Sequence, residues 1–225
     1  VLPFRLQQHA LVSASGGAGL HRGGSALKME VQLFAPPSMV TARNRDRSMI
    51  SAWGVEGGQP GAQSSFTRNP YGTAPEELRN TDIVPLQPGD TLRLIGPGAG
   101  GYGPAHERSV EKVVDDVRGG FVSAARARAD YGVALKDDGS VDAVETASLR
   151  KAMAERATTE HFSHGPGRVA FEGVWTRARY VLLTRILREV PVSWRFYVKH
   201  ELFRALEGRT AGADGGTAEL LAAYG

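Results

Sequence analysis

The chain has 225 residues, of which 41% are hydrophobic and 23% charged, and these proportions exclude a wholly disordered protein. It contains no cysteine, which excludes a disulfide framework, a thiolate metal site and a cysteine nucleophile. The net charge of only +3 argues against nucleic acid, and no apolar run reaches the roughly 18 residues that span a membrane. We therefore expect a globular cytoplasmic protein with neither nucleic acid nor a membrane as its partner.

The composition divides the chain into two regions. Residues 1–120 hold 18 of the 28 glycines and 10 of the 12 prolines, whereas residues 121–225 are rich in alanine, arginine and leucine. Glycine and proline separate short strands, while alanine and leucine favour helices. We predict an α+β fold, in which a glycine-rich β region over residues 1–120 packs with a helical region over residues 121–225 of the same domain.

Several strands are predicted in the first region. Phe4–Val12 is the first, and Lys28–Pro36 alternates with the period of two that is typical of a half-buried strand. Ser38–Arg43 is interpreted as the returning strand of a hairpin with Lys28–Pro36. Trp53–Gln63 has too many glycines for regular structure, and Leu86–Gly96 combines a turn with another alternating strand.

Apolar residues adopt a helical spacing from residue 110 onwards. Val110, Val113, Val114 and Val117 form one stripe of a helix, which Gly119–Gly120 ends. Further helices are predicted from an N-cap at Ser123 to Ala129, from an N-cap at Asp142 to Met153, over Gly167–Glu189 and from Pro191 to Leu206, with a strand and turn at Tyr131–Gly139.

Gly167–Glu189 is the longest periodic segment. Its apolar residues fall on one side of a helix, which predicts that this side is buried. The opposite, solvated face is predicted to carry four arginines: Arg177, Arg179, Arg185 and Arg188.

One glycine motif could indicate a nucleotide site. Gly98, Gly100 and Gly103 match G-x-G-x-x-G, in which glycines let backbone amides approach a pyrophosphate. The ribose-binding carboxylate should follow about 20 residues later. The nearest candidates, Asp137 and Asp138, are almost 40 residues from Gly98, so we favour a tight structural turn.

Two histidines have a spacing that would suit a metal on a helix. His161 and His164 are three residues apart and follow Glu160. However, the Ser163–Pro166 segment ends any helix there, and no third ligand is nearby. We interpret the segment as a solvated loop between helices and assign no metal ligand in this chain.

A set of basic residues is the best candidate for contact with a substrate or a partner. His21 and Arg22 lie between two glycine pairs, where a loop could present both side chains to an anion. Arg43 and Arg47 precede Trp53 and could line an anionic pocket. The alternatives are an exposed polar turn for the first pair and an ordinary charged loop for the second. No catalytic residue is identified.

Four segments occur in an informative order: Ser15–Phe34, Trp53–Gln63, Leu86–Gly103 and Glu107–Leu135. Together they resemble the C-terminal part of the hydantoinase B family. Its members include the beta components of ATP-dependent hydantoinase, 5-oxoprolinase and caprolactamase, and related subunits occur in acetone and acetophenone carboxylases. The resemblance covers roughly Phe4 to Leu149, and more loosely the helical tail.

The resemblance implies ATP-dependent hydrolytic opening of a cyclic amide, such as 5-oxoproline, a hydantoin or a lactam. It also implies a hetero-oligomer, in which a hydantoinase A-type partner binds ATP and Mg and phosphorylates the amide oxygen. Two alternatives remain: a subunit of an acetone or acetophenone carboxylase-like complex, and a non-catalytic scaffold domain.

The resemblance also bears on the extent of the chain and on its glycine loop. The family's metal-binding segments belong to its N-terminal half, and nothing in this sequence matches them. Because the first residue is Val1, we expect a C-terminal fragment that is inactive alone, with any divalent metal held in the N-terminal half. The loop beside the pocket is expected to be shaped by Gly98, Gly100, Gly101, Tyr102 and Gly103.

Overall fold

The computed structural model describes residues 3–35, 37–41, 47–78, 83–157, 160–212 and 215–224. The chain divides into two compact units, Val1–Gly165 and Pro166–Gly225. Within the described ranges, no helix is long and apolar enough to cross a membrane. The division that the composition predicts at residue 120, within a single domain, stays a prediction.

The strands of the described residues all belong to the first unit. They are β1 (Phe4–Leu11), β2 (Leu27–Leu33), β3 (Ser38–Thr41), β4 (Gly54–Val55), β5 (Ser65–Arg68), β6 (Glu76–Glu77), β7 (Ile83–Leu86), β8 (Thr91–Ile95) and β9 (Phe162–Ser163). Five form an antiparallel sheet in the order β1-β2-β8-β5-β6, while β3 pairs with β7 and β4 with β9. Phe66, Val84, Leu86 and Leu92 are the buried apolar core of this β region.

The alternating patterns predict β2 and β8 correctly, and the α+β class is confirmed. The partner predicted for Ser38–Thr41 is wrong, because β3 pairs with β7 and places Val40 opposite Val84. Neither edge of β2 is free for a hairpin with β3, since β1 bonds to one side of β2 and β8 to the other.

Three glycine-rich segments, residues 14–24, 52–62 and 96–103, pack backbone against backbone, and we call them the glycine bundle. A Cβ placed on Gly98 would lie 1.8 Å from the carbonyl oxygen of Ser15, and one on Gly101 would lie 2.1 Å from that of Ala18. Two glycines that are three residues apart in the third segment thus contact two residues that are three apart in the first. This period is that of an extended threefold helix, which makes its hydrogen bonds to neighbouring chains.

Backbone hydrogen bonds join the three segments. Five amides of the third segment donate to carbonyls of the other two: Gly98 to Ala62, Ala99 to Gly24, Gly101 to Gln59, Tyr102 to His21 and Gly103 to Val55. Gly98–Tyr102 runs extended between its neighbours and the chain bends only at Gly103, so a tight turn over the whole motif is wrong. These five amides have protein acceptors, so they are not available to a pyrophosphate.

Helices complete the first unit. A 3₁₀ turn at Ala105–Glu107 precedes α1 (Val110–Arg118), α2 (Ala124–Tyr131) and α3 (Ala143–Arg156). The predicted N-caps are confirmed, because the side chains of Ser123 and Asp142 accept hydrogen bonds from backbone amides of α2 and α3. The strand predicted at Tyr131–Gly139 is wrong, since Tyr131 ends α2 and Leu135 forms only a single bridge to Val141.

The second unit is helical in its described part. It consists of α4 (Pro166–Val174), α5 (Arg177–Glu189), α6 (Val192–Ala205) and α7 (Thr217–Tyr224). The single helix predicted over Gly167–Glu189 is two helices, because the Thr176 hydroxyl caps α5 by accepting from the Arg179 amide. The core consists of Trp175, Leu183, Ile186, Val190, Leu202, Leu206 and Leu220.

One arginine of the predicted solvated face is fully buried. Arg179 donates from Nε to the Gly216 carbonyl over 2.9 Å, and from Nη1 to the carbonyls of Val174 and Arg209. Periodicity alone placed Arg179 on the solvated face. The carbonyls that accept from Arg179 belong to segments that only the folded chain brings together.

Candidate functional site

Backbone pairing places four residues in a row on one surface of the first unit. His21 pairs with Tyr102, Tyr102 pairs with Val55, and Val55 pairs with Phe162. Directly paired residues project their side chains to the same face. Tyr102 and Phe162 remain 52% and 46% exposed, so the row presents large rings to solvent.

Further rings extend the row at the β4–β9 end. The centroid of Trp53 lies 6.3 Å from that of Phe162 and 6.2 Å from that of His164, both with edge-on geometry. The His21 and Tyr102 rings are 6.1 Å apart at the other end. We call this surface the aromatic–histidine face, and it comprises His21, Trp53, Tyr102, His161, Phe162 and His164.

An imidazole and a carboxylate meet at the edge of this face. Nδ1 of His161 is hydrogen-bonded to Oε1 of Glu56, although 105 positions separate the two residues. The Glu56 amide also donates to the His161 carbonyl over 2.9 Å. The solvated loop predicted at residues 161–164 is therefore wrong in part, since Phe162–Ser163 is a strand whose two residues are too few to show a periodic pattern.

The predicted candidate residues do not all come together. His21 and Trp53 belong to the aromatic–histidine face, and the Arg47 guanidinium lies over the Trp53 ring at 4.9 Å. Arg47 also donates to the Ser51 carbonyl over 3.2 Å. Arg43 lies outside the described residues.

Arg22 makes its contacts within the first unit. Its Nε donates to buried Asp116 over 3.3 Å, and its guanidinium lies 5.0 Å from the centroid of the Phe121 ring. Arg108 donates to the other oxygen of the same carboxylate over 2.9 Å. Two arginines thus compensate one buried charge, which gives Arg22 a structural use. A role for Arg22 towards a substrate or partner stays a prediction.

Sequence reasoning missed Glu56 and Phe162 and gave His161 and His164 no function. Glu56 is an unremarkable residue in a glycine-rich segment, and no local pattern connects it with residue 161. Within the part of the chain that the structure describes, no three His, Asp or Glu side chains are grouped to hold a metal ion. The groups present on this surface offer ring stacking, hydrogen bonding and proton transfer.

A cleft of about 430 Å³ adjoins the turn that carries Glu56. Gly57 and Gln59 line it, together with the side chains of His106, Asp130 and Arg156. Burial raises the pKa of the Asp130 carboxyl, and the neighbouring Arg126 opposes this only in part. Gly57, which follows Glu56, thus borders a cleft with charges of both signs.

Comparison with known proteins identifies relatives of this chain. The hydantoinase B/oxoprolinase family model matches residues 1–105. The caprolactamase beta subunit of Pseudomonas jessenii is 32% identical over 155 residues, which are 67% of this chain and 26% of that subunit. The chain spans about a quarter of the length of that relative.

Two solved structures resemble this chain. The ATP-dependent caprolactamase from Pseudomonas jessenii matches with a TM-score of 0.53 and 27% identity, over 66% of this chain and 26% of that chain. A nucleotide-free acetone carboxylase matches with a TM-score of 0.56 over 93% of this chain and 28% of that chain. At 19% identity, the second likeness concerns the fold alone. The family match and the caprolactamase relative agree, and the chain belongs through residues 1–105 to the hydantoinase B/oxoprolinase family.

Proposed function

We propose that this chain is part of a subunit that opens a cyclic amide by ATP-dependent hydrolysis, together with an ATP-binding partner of the hydantoinase A type. The observation that carries the proposal is family membership combined with an exposed row of rings beside a histidine–glutamate pair. The caprolactamase relative is called a beta subunit, and its crystal structure is described as ATP-dependent, which supports a partner and the use of ATP.

The division of labour follows from the glycine bundle. Its G-x-G-x-x-G segment uses five backbone amides to bond neighbouring carbonyls, so these residues do not fit a nucleotide. We therefore assign ATP and Mg to the partner. The described residues likewise contain no metal-holding group, so no step of the reaction is assigned to a metal on this chain.

The chemistry explains why ATP is needed. An unactivated amide is a poor electrophile, and transfer of a phosphoryl group to its oxygen makes the carbon reactive towards water. The aromatic–histidine face offers what such an intermediate needs from a second subunit, namely flat apolar surfaces and groups that accept a proton. Exposed rings such as Tyr102 and Phe162 suit the planar amide of a small ring.

The proposal is tested on the full-length subunit that contains this chain, produced together with its partner. The assay supplies ATP and, separately, 5-oxoproline, hydantoin and caprolactam, and it measures ADP and the ring-opened product. We expect one of these amides to be opened only when ATP and both proteins are present. Ring opening without ATP, or ADP formation that none of the amides stimulates, would contradict the proposal.

A bicarbonate arm distinguishes the main alternative. The same complex is given acetone or acetophenone with ¹³C-bicarbonate, and labelled carboxylate is measured. If labelled carboxylate forms and no amide is hydrolysed, the proposed activity becomes that of a carboxylase instead of a hydrolase. If a correctly assembled complex shows neither activity, the non-catalytic scaffold is the favoured alternative.

A further inference from the structure

The Glu56–His161 pair joins two distant chain segments at two points. The carboxylate accepts a hydrogen bond from the imidazole Nδ1, and the Glu56 amide donates to the His161 carbonyl over 2.9 Å. The backbone contact continues the β4–β9 pairing, in which Val55 lies opposite Phe162. The imidazole is thus held in one place by both backbone and side chain.

The carboxylate determines where the proton of the neutral ring lies. A neutral imidazole carries one N–H, and an acceptor at Nδ1 keeps the proton on that nitrogen. Nε2 then has a free lone pair and can accept a proton. Within the described residues, the His161 side chain has no second hydrogen-bond partner, so Nε2 is not used by the fold.

The position of the ring favours a role at the aromatic–histidine face. The His161 centroid lies 4.1 Å from that of Phe162, while 61% of the His161 side chain and 50% of that of Glu56 are exposed. A small ring stacked against Phe162 would therefore come within reach of the imidazole, and water could reach both.

Stability alone does not account for the pair. Exposed ion pairs add little to folding, since solvent screens them. Glu56 also adopts a positive φ of 49°, which residues other than glycine adopt at a cost. A strained residue that holds an exposed imidazole is better explained by a role in the site.

We infer that His161 is the general base that takes a proton from the attacking water during opening of the activated cyclic amide, and that Glu56 is its positioning residue. This inference rests on the function proposed above and assigns a residue to one of its steps. His161 is named as catalytic because its Nε2 would touch the reacting water.

The carbon of the phosphorylated amide is single-bonded to the phosphate oxygen and double-bonded to the ring nitrogen. The water oxygen bonds to that carbon, one O–H bond breaks with its proton passing to Nε2, and the C=N electron pair moves to nitrogen. Nε2 returns the proton to nitrogen. The remaining O–H proton of the added water also passes to nitrogen, its electron pair forms the C=O bond, and the C–N bond breaks with its pair going to nitrogen. The products are an amine and an acyl phosphate, which a further water converts to carboxylate and phosphate.

The test compares His161→Gln with His9→Gln, which changes an exposed histidine on the distant strand β1. Both are made in the full-length subunit with its partner, using an amide that the unsubstituted complex opens. We expect His161→Gln to lower kcat for ring opening by about 100-fold or more, the usual scale of a general base, with KM changed less than about threefold. The first turnover of ADP should persist, because phosphoryl transfer precedes the step.

Chemical rescue separates proton transfer from a structural effect. Added imidazole should restore His161→Ala by about tenfold, since this substitution vacates a position that is open to solvent, and should leave His9→Gln unchanged. Activity within about threefold of the unsubstituted complex, or a loss that imidazole does not relieve, would overturn the inference while leaving the proposed function intact. If the unsubstituted complex opens no cyclic amide, the proposed function itself fails and this step fails with it.

A separate measurement tests the positioning role of Glu56 without any assay of activity. The ¹⁵N chemical shifts of the His161 ring in the labelled chain report which nitrogen carries the proton. We expect Nδ1–H in the unsubstituted chain and a mixture of tautomers in Glu56→Ala. The Nε2–H tautomer in the unsubstituted chain would contradict the assignment of Nε2 as the proton acceptor.

Discussion

The glycine bundle and the helical second unit form their interiors in opposite ways. In the bundle, backbones pack directly against each other and amides bond to carbonyls of neighbouring segments. In the second unit, side chains such as Trp175, Leu183 and Leu202 fill the space between helices. Packing in the glycine bundle requires that side chains be absent, whereas packing in the helical core requires the volume of side chains.

The difference predicts opposite sensitivities to mutation. A bundle of backbones cannot move apart for one methyl group without breaking hydrogen bonds on both sides. A helical core loses stability when volume is removed, because a cavity remains.

Adding one methyl group to the centre of the bundle should have the largest effect. In Gly98→Ala, the new Cβ would lie 1.8 Å from the Ser15 carbonyl oxygen, so a hydrogen-bonded segment must move. We expect a loss of at least about 4 kcal/mol in the free energy of unfolding, measured by urea denaturation with hydrogen exchange of the bundle amides. The matched control is Gly24→Ala, whose Cβ would meet only the Ala99 Cβ at 4.0 Å. Equal losses in the two variants would refute direct backbone packing.

Removing side-chain volume from the helical core should lower the free energy of unfolding somewhat less than Gly98→Ala does. Leu183→Ala creates a cavity at a site that is only 2% exposed, and we expect a loss of about 3 kcal/mol in the free energy of unfolding. Val181→Ala on the same helix is the control, since Val181 is 46% exposed and should cost less than about 1 kcal/mol. The measurement is urea denaturation followed by circular dichroism. A Leu183→Ala loss no larger than that of the control would mean that these helices do not depend on a packed core.

The buried carboxylate of Glu30 in the sheet should make stability depend on pH, unlike the packing of the glycine bundle. Burial raises the pKa of the Glu30 carboxyl, but hydrogen bonds from Arg93 and Tyr71 outweigh it, and the net pKa is lowered. Its stabilisation is thus fully present above the ordinary pKa of an unfolded glutamate and is lost progressively as the pH falls from there through the lowered pKa of the folded state. Bonds between neutral amides in the bundle have no such dependence.

We therefore expect Glu30→Gln to lower the free energy of unfolding by about 2 kcal/mol at pH 7 and by clearly less at pH 3. Thermal unfolding over this pH range is the measurement. Glu76→Gln is the control, because Glu76 pairs with Arg68 at the exposed edge of the same sheet and should cost less than about 1 kcal/mol. A Glu30→Gln loss that is independent of pH would contradict the stabilising role of the ionised carboxylate.

The candidate site shows where sequence patterns stop being informative. His21, Arg47 and Trp53 could be proposed because each stands in an unusual local composition, and all three lie at one surface or beside it. Glu56 and His161 could not be paired, since 105 positions separate them and no local pattern connects them. The β4–β9 pairing that brings them together involves only two residues on each side.

Local sequence patterns were sufficient to predict several strands and helix starts. The alternation in Lys28–Pro36 predicted β2, and Ser123 and Asp142 predicted the starts of α2 and α3, because these signals depend on residues within one turn or strand. The order of the glycine segments was sufficient for the family, which the match over residues 1–105 supports.

Only the tertiary structure shows which backbones fill the spaces that the glycines leave. It also determines that β3 pairs with β7 and that Arg179 is buried. Glycine in a sequence marks the absence of a side chain, but it does not identify the neighbour that will occupy the space. Non-local contacts form between whichever segments satisfy each other's buried amides and carbonyls, and that condition exists only in the folded chain.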